Sequence, residues 1–423
     1  MSEVIPEGWR LESLASCIAE STAGEWGNEA NGDENDIPVL RSTNFTDSGK
    51  IDYRNIVYRN IEKRKRIKKA LSKGDVLLEK SGGSPAQPVG RVVYFERDTP
   101  YLFSNFTQKL VAHDGNDTKY VFYKLLSEYQ NGTVLKFQQQ TTGIINFQLA
   151  EYLAYETLLA PLPEQQKIAT ILSSVDDVIE KTRAQIDKLK DLKTGMMQEL
   201  LTKGIGHTEF KGSPVGTVPM TWTIRSLGEV ATLSTGGTPD RSMPDYWNGE
   251  IPWVKTGEIN YSEIFDTEEK ITELGLKYSA AKIVPAGAVL MAMYGQGVTR
   301  GRVALLGINA AVNQACVAIF PSELLANSFL YYFLTYKYEY LRTLVQEGTQ
   351  KNLNSKIIKE LFVPLPTVTE QQAISKTLGS IDLKLRRQAR KVDKLLSLKK
   401  ALMQDLLTGK VRVKVDNSEV AAA

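Results

Sequence analysis

Residues 164–202 align without a gap on residues 370–408 at a constant offset of 206, with 17 of the 39 positions identical. Whatever the first copy folds into, the second must fold into as well, so a duplicated architecture is the starting constraint. In the first copy apolar residues recur at Ile168, Leu172, Val175, Ile179, Ile186, Leu189, Leu192, Met196 and Leu200. The second repeats the stripe at Ile374, Leu378, Ile381, Leu385, Val392, Leu395, Leu398, Leu402 and Leu406. Steps of three and four predict one long helix per copy, each with a seam that needs a partner helix. Met197 and Met403 match across the copies, as do Asp176 and Asp382. Both helices follow Pro-Leu-Pro (161–163 and 364–366), both stop short of a glycine (Gly204 and Gly409), and Thr369 with Gln372 offers a capping box for the second. At about 1.5 Å per residue each rod would be about 58 Å long. Gly195 in the first helix costs about 1 kcal/mol relative to Ala401 at the same place in the second.

The segments ahead of the helices correspond too. PEGWRLESLASCIAESTAG (6–24) aligns with PMTWTIRSLGEVATLSTGG (219–237), and the pairs IPVLRS/IPWVKT, GDVLLEKSGG/GAVLMAMYGQ and GRVVYF/GRVALL follow in the same order. Short Val, Leu and Ile runs between Gly-bearing turns predict strands, while TKYVFYKLLSEYQ and NSFLYYFLTYKYEYL predict helices. The expected fold class is α+β: two globular domains, residues 1–163 and 206–366, separated by two long antiparallel, coiled-coil-like helices, 164–205 and 367–410, with a flexible tail at 411–423. With 42 % apolar and 24 % charged residues, each globule can bury a core. The two cysteines, Cys17 and Cys316, exclude a disulfide framework, and His113 and His207 lack partners at ligand spacing, so no metal site is expected. No apolar run approaches membrane-spanning length and no secretory leader precedes the first globule, so a cytoplasmic location without membrane contact is expected.

These motifs resemble the specificity subunit of type I restriction-modification systems. The resemblance runs over nearly the whole chain and is sharpest at the paired PLP…EQQ helix starts, the LKTGMMQELLT and LKKALMQDLLT helix ends, the phrase STGGTPDRSMPDYWNGEIPWVKTGEI (234–259), and GTQKNLN (348–354). The first half carries QTTGIINF (140–147) where the second has GTQKNLN. The family implies two target-recognition domains, each reading one half of a split site on double-stranded DNA. It also implies two docked methyltransferase subunits, restriction subunits recruited through the complex, and S-adenosylmethionine on the methyltransferases, with no cofactor on this chain. Two unlike globules in one chain would read an asymmetric interrupted site, and an extra helical turn in both rods would lengthen the gap by one or two base pairs.

Net charge is only +3, so a DNA footprint has to be local. The densest basic run, residues 58–74, supplies the candidates Lys63, Arg64, Lys65, Arg66, Lys68 and Lys69, flanked by Arg59 and Lys73. The alternative for such a run is a solvated helix face. In the second half the candidates are Lys255, Arg300, Arg302 and Lys351 for phosphates, with Tyr294 and Gln296 for base edges. Helix pairing and subunit docking are assigned to Ile168, Leu172, Val175, Ile179, Leu189, Met197, Leu200, Ile374, Leu378, Ile381, Leu385, Leu395, Met403 and Leu406.

Catalysis finds no foothold. GQGVTRG (295–301) has the wrong spacing for a nucleotide-binding turn, there is no Pro-Pro of the kind an adenine methyltransferase motif carries, and no Walker-type loop. Asp176 and Asp382 sit on helices, where carboxylates form ion pairs or face water, and SGGSP and STGGTP are ordinary turn chemistry. A non-catalytic subunit is therefore expected. The remaining readings are a specificity chain serving methylation only, and a helical protein scaffold that never meets DNA.

Overall fold

A computed structural model describes residues 5–84, 87–141, 143–295, 297–344 and 352–415. Two compact units emerge, one formed by Met1–Arg183 with Arg390–Ala423 and the other by Ala184–Ala389. The repeat forms continuous helices, Leu162–Thr202 and Val368–Leu406. Each is divided between the units, whereas the linear partition at 163/164 and 366/367 kept the helices apart from the globules. The physical reason lies at the helix ends, whose apolar stripes complete the globular cores.

In the first unit Ile18–Ala23, Thr107–Ala112, Val76–Glu79 and Val92–Tyr94 form an antiparallel sheet in that order. A second sheet runs Asn28–Glu29, Val57–Asn60, Asp36–Leu40, Leu102–Phe103, and its last pair is parallel, with Val39 opposite Leu102. The second unit repeats the central order and differs at the edges. Ala231–Thr235, Cys316–Pro321, Val289–Ala292 and Val303–Leu306 make one sheet, extended by Glu263–Ile264, and Glu269–Ile271, Trp247–Val254, Ala310–Val312 and Ile283–Val284 make the other. Its parallel pair sets Trp253 opposite Ala311. The paired sequence runs 37–40 and 251–254, 76–79 and 289–292, and 92–94 and 303–306 thus become equivalent strands.

Strand alternation then distributes the core. Val76 and Leu78 face the helix Thr118–Gln130, while Leu77 between them belongs to the separate cluster of Leu40, Phe95 and Phe103. Val289 and Met291 likewise face Phe329 and Leu330 of the helix Asn327–Tyr336, with Leu290 turned to Val254 and Val312. Ile168, Leu172, Met403 and Leu406 lie in the first core; Met197, Ile374 and Leu378 lie in the second, with Leu200 packed against it. Ile179 and Ile381 are buried, and Val175, Leu189, Leu385 and Leu395 are half-buried.

The Glu-Gln-Gln helix starts have a structural use. Gln371 accepts from the backbone N–H of Ala326, at the cap of Asn327–Tyr336, at 2.7 Å and donates to the carbonyls of Leu324 and Pro366 at 2.9 Å each. Gln165 does the same in the first unit, accepting from Asp117 and donating to the Ala160 carbonyl, both at 2.9 Å. The adjoining carboxylates take tryptophan indoles, Trp9 on Glu164 at 3.3 Å and Trp222 on Glu370 at 3.1 Å. Glu164 also pairs with Arg412, and Glu370 with His207. Residues 411–415 thus include an anchored Arg412 and a Val413 packed on the core; the rest of the tail lies outside the described residues. The second helix is capped by Thr367, whose hydroxyl accepts from the Glu370 N–H at 3.3 Å, two residues earlier than the expected Thr369, because the preceding strand already ends at Leu365. The Gly-Gly of STGGTP serves close approach, since a Cβ on Gly236 would fall 1.7 Å from the Val312 carbonyl oxygen.

Candidate nucleic-acid interface

Each unit has a three-residue junction, buried in the first and half-buried in the second. In the first, Asp176 accepts from the Tyr123 hydroxyl at 2.7 Å and from Lys399 Nζ at 2.7 and 2.9 Å. In the second, Asp382 accepts from Tyr332 at 2.8 Å and Lys193 at 2.6 Å. The Asp and Lys positions obey the 206-residue offset, and the tyrosines come from the globules. Each junction therefore ties the start of one long helix, the end of the other and the globular helix into one arrangement. Burial lowers the pKa of Lys399 and raises those of Tyr123 and Tyr332. These are structural pins, and sequence reasoning saw only their aspartates.

The basic run folds into the helix Lys63–Lys69. At 100° per residue Lys65, Arg66 and Lys69 fall on one side, and Lys63, Arg64, Ile67 and Lys68 within about 140° on the other. The inner set is engaged within the fold. Glu25 bridges Lys65 at 3.2 Å and Lys69 at 3.0 Å, Lys69 also donates to the Gly24 carbonyl, and Arg66 donates to the Glu34 carbonyl at 2.8 Å. The hydrogen bonds from Lys69 and Lys65 hold the Glu25 carboxyl below its ordinary pKa. Lys63, Arg64 and Lys68 are exposed and form no ion pair among the described residues. Lys63 and Arg64 oppose the helix dipole at about 0.3–1 kcal/mol each, and the Arg64/Lys68 like-charge pair costs about 0.2–0.5 kcal/mol. Arg59 is engaged over the Trp26 ring at 4.6 Å.

The second-unit candidates are mostly occupied. Lys255 is held by Glu268 at 2.9 Å and Glu269 at 2.8 Å, which raise its pKa. Arg302 donates to Asn260 at 2.9 Å, and Arg300 is half-buried, near the Arg342 carbonyl. Tyr294 is exposed in the loop between Val289–Ala292 and Val303–Leu306; Gln296 and Lys351 lie outside the described residues. Sequence reasoning missed a cluster beside Lys255, where Arg241 lies 3.8 Å from the Trp247 ring centroid and pairs with Glu269. Cys17 and Cys316 are buried free thiols whose pKa values burial raises. Among the described residues no group of three metal-ligating side chains occurs, and no helix is long and apolar enough to cross a membrane.

The chain is thus a duplicated α+β protein whose two units each take in parts of both long helices, and comparison with known proteins places it in a family. The family model described as type I restriction modification DNA specificity domain matches residues 17–191 and again 219–395. A putative type I restriction enzyme MjaX specificity subunit from Methanocaldococcus jannaschii is 27 % identical over 97 % of this chain and 95 % of its own length. The MjaVIII specificity subunit of the same organism is 30 % identical over 70 % of this chain and 71 % of its own. In fold, the crystal structure of a type I restriction-modification S subunit from M. genitalium matches with a TM-score of 0.59 at 16 % identity, covering 96 % of this chain and 97 % of that one. A chain from a structural study of assembly and conformational transition in the type I R-M system matches with a TM-score of 0.58 at 17 % identity, covering 96 % and 100 %. The chain belongs to the type I restriction-modification DNA specificity family. It is a specificity subunit with two target-recognition domains, a non-catalytic component of such systems.

Proposed function

We propose that this chain binds an asymmetric, interrupted site on double-stranded DNA, each target-recognition domain taking one half, and that two methyltransferase subunits dock on its long helices. The observation that carries this reading is one sheet order presented twice with unlike surfaces: a cationic helix in the first unit, and an Arg-Trp-Glu cluster with an exposed Tyr294 loop in the second. Identical recognition units would suit a palindrome; unlike ones suit an asymmetric site. The long helices act as antiparallel spacers, and their exposed Leu192 and Leu398, equivalent by the 206-residue offset, are candidate docking positions. S-adenosylmethionine belongs to the methyltransferases, restriction subunits join through them, and the complex works in the cytoplasm.

The test is a map of methylated adenines in cells expressing the cognate methyltransferase with and without this chain. A new interrupted, asymmetric motif that depends on the chain is expected. No chain-dependent motif, with the methyltransferase active beside another specificity chain, would leave a scaffold that does not read DNA.

A further inference from the structure

The helix Lys63–Lys69 has a counterpart. It follows the strand Val57–Asn60 and leads toward Val76–Glu79; in the second unit Glu273–Lys277 follows Glu269–Ile271 and leads toward Val289–Ala292. At this shared place both units expose large apolar side chains. Ile67 is 73 % exposed, Leu274 is 48 % exposed and Tyr278, just past the second helix, 61 %. An isoleucine in the middle of an exposed cationic face gains nothing from water, and a phosphate clamp has no use for it. Its neighbours Lys63, Arg64 and Lys68 form a positive surround with no carboxylate among their described contacts, while Glu25 neutralises the opposite side of the same helix.

We propose that the outer face of Lys63–Lys69 enters the major groove of the first half-site, with Lys63, Arg64 and Lys68 on phosphates and Ile67 against a thymine methyl group. The inference rests on the DNA-binding reading above. A helix is about 10–12 Å across with its side chains and the groove about 12 Å wide, so the face fits. The thymine methyl is the apolar feature that distinguishes an A·T pair there, and an aliphatic side chain is its natural reader. Ile67 would thus set base preference, and its three cationic neighbours affinity alone.

The experiment uses the full chain in complex with its methyltransferase. Replacing Lys63, Arg64 and Lys68 together by Ala should lower the slope of log affinity against log salt on a random-sequence duplex by about 2 to 3, leaving the methylated motif unchanged. Ile67→Ala should keep the slope and relax discrimination about tenfold at one or two adjacent base pairs of one half-site only. Ile67→Val should largely restore it. Deoxyuridine in place of thymine at that position should weaken the wild-type complex and leave the Ile67→Ala complex unaffected. A wild-type motif that survives Ile67→Ala unchanged, or whose first half contains no A·T pair, overturns the proposal and leaves bipartite recognition standing. Absence of any chain-dependent motif overturns both.

Discussion

At the scale of single residues, what matters is which charges are neutralised inside the fold. Lys399 and Asp176 have side chains only 7 % and 12 % exposed, so Asp176→Asn strands a buried ammonium and should destabilise the first unit by about 3–5 kcal/mol in urea unfolding. Asp382→Asn, whose pair with Lys193 is 15 % and 18 % exposed, should cost less. Glu25 gives a pH signature. Its pKa is lower in the folded state, so its contribution is complete above the unfolded value of about 4.5 and disappears as pH falls through the folded value. The stability difference between wild type and Glu25→Gln should therefore be largest near pH 6 and shrink toward pH 3, measured by denaturant titration at each pH. A difference that grows on acidification would contradict the bridge to Lys65 and Lys69. The sequence announced these cations as a single run. Their division was not legible because it depends on Glu25, forty residues away from Lys65, and on backbone carbonyls that only the fold brings near.

At the scale of elements, the long helices were the most legible part of the molecule. Their 3.6-residue period and gapless repetition leave one conformation open. The strands were legible as short apolar runs in matching order, but their sheet order and the parallel pair were not, since register depends on partners distant in sequence. The Glu-Gln-Gln motif could be seen as repeated but not understood until Gln165 and Gln371 were found bridging two helix starts. Gln371→Ala would leave the Ala326 N–H and the Leu324 and Pro366 carbonyls without that partner, and should cost about 2–4 kcal/mol in thermal or urea unfolding. Gly195 tests the opposite case. A Cβ there would meet nothing within 4 Å, so Gly195→Ala should raise stability by up to about 1 kcal/mol, as Ala401 already allows in the second helix. A loss of stability would mean that the helix uses the glycine for a contact made only in the assembled complex.

At the scale of the whole molecule, duplication and divergence act on different parts. The helices and their pins keep the repeat, while the surfaces at equivalent places differ in charge, apolar exposure and loop content. If each unit takes one half-site, substitution of a base-reading residue of the first unit, Ile67 in the reading above, should alter one half of the methylated motif and leave the other half and the gap unchanged. Variants at Tyr294 should alter the opposite half. Mapping modified adenines for both sets checks this, and a change in both halves from one set would defeat the division of labour. Asp176 with Lys399, and Asp382 with Lys193, belong to the long helices, and the globule contributes a single phenol to each. A foreign globule grafted onto the same helices has to supply that hydroxyl, a helix start for the glutamine and an apolar face for the helix ends, and little else of its surface is constrained. The surface that reads can thus change in sequence while those few positions stay fixed.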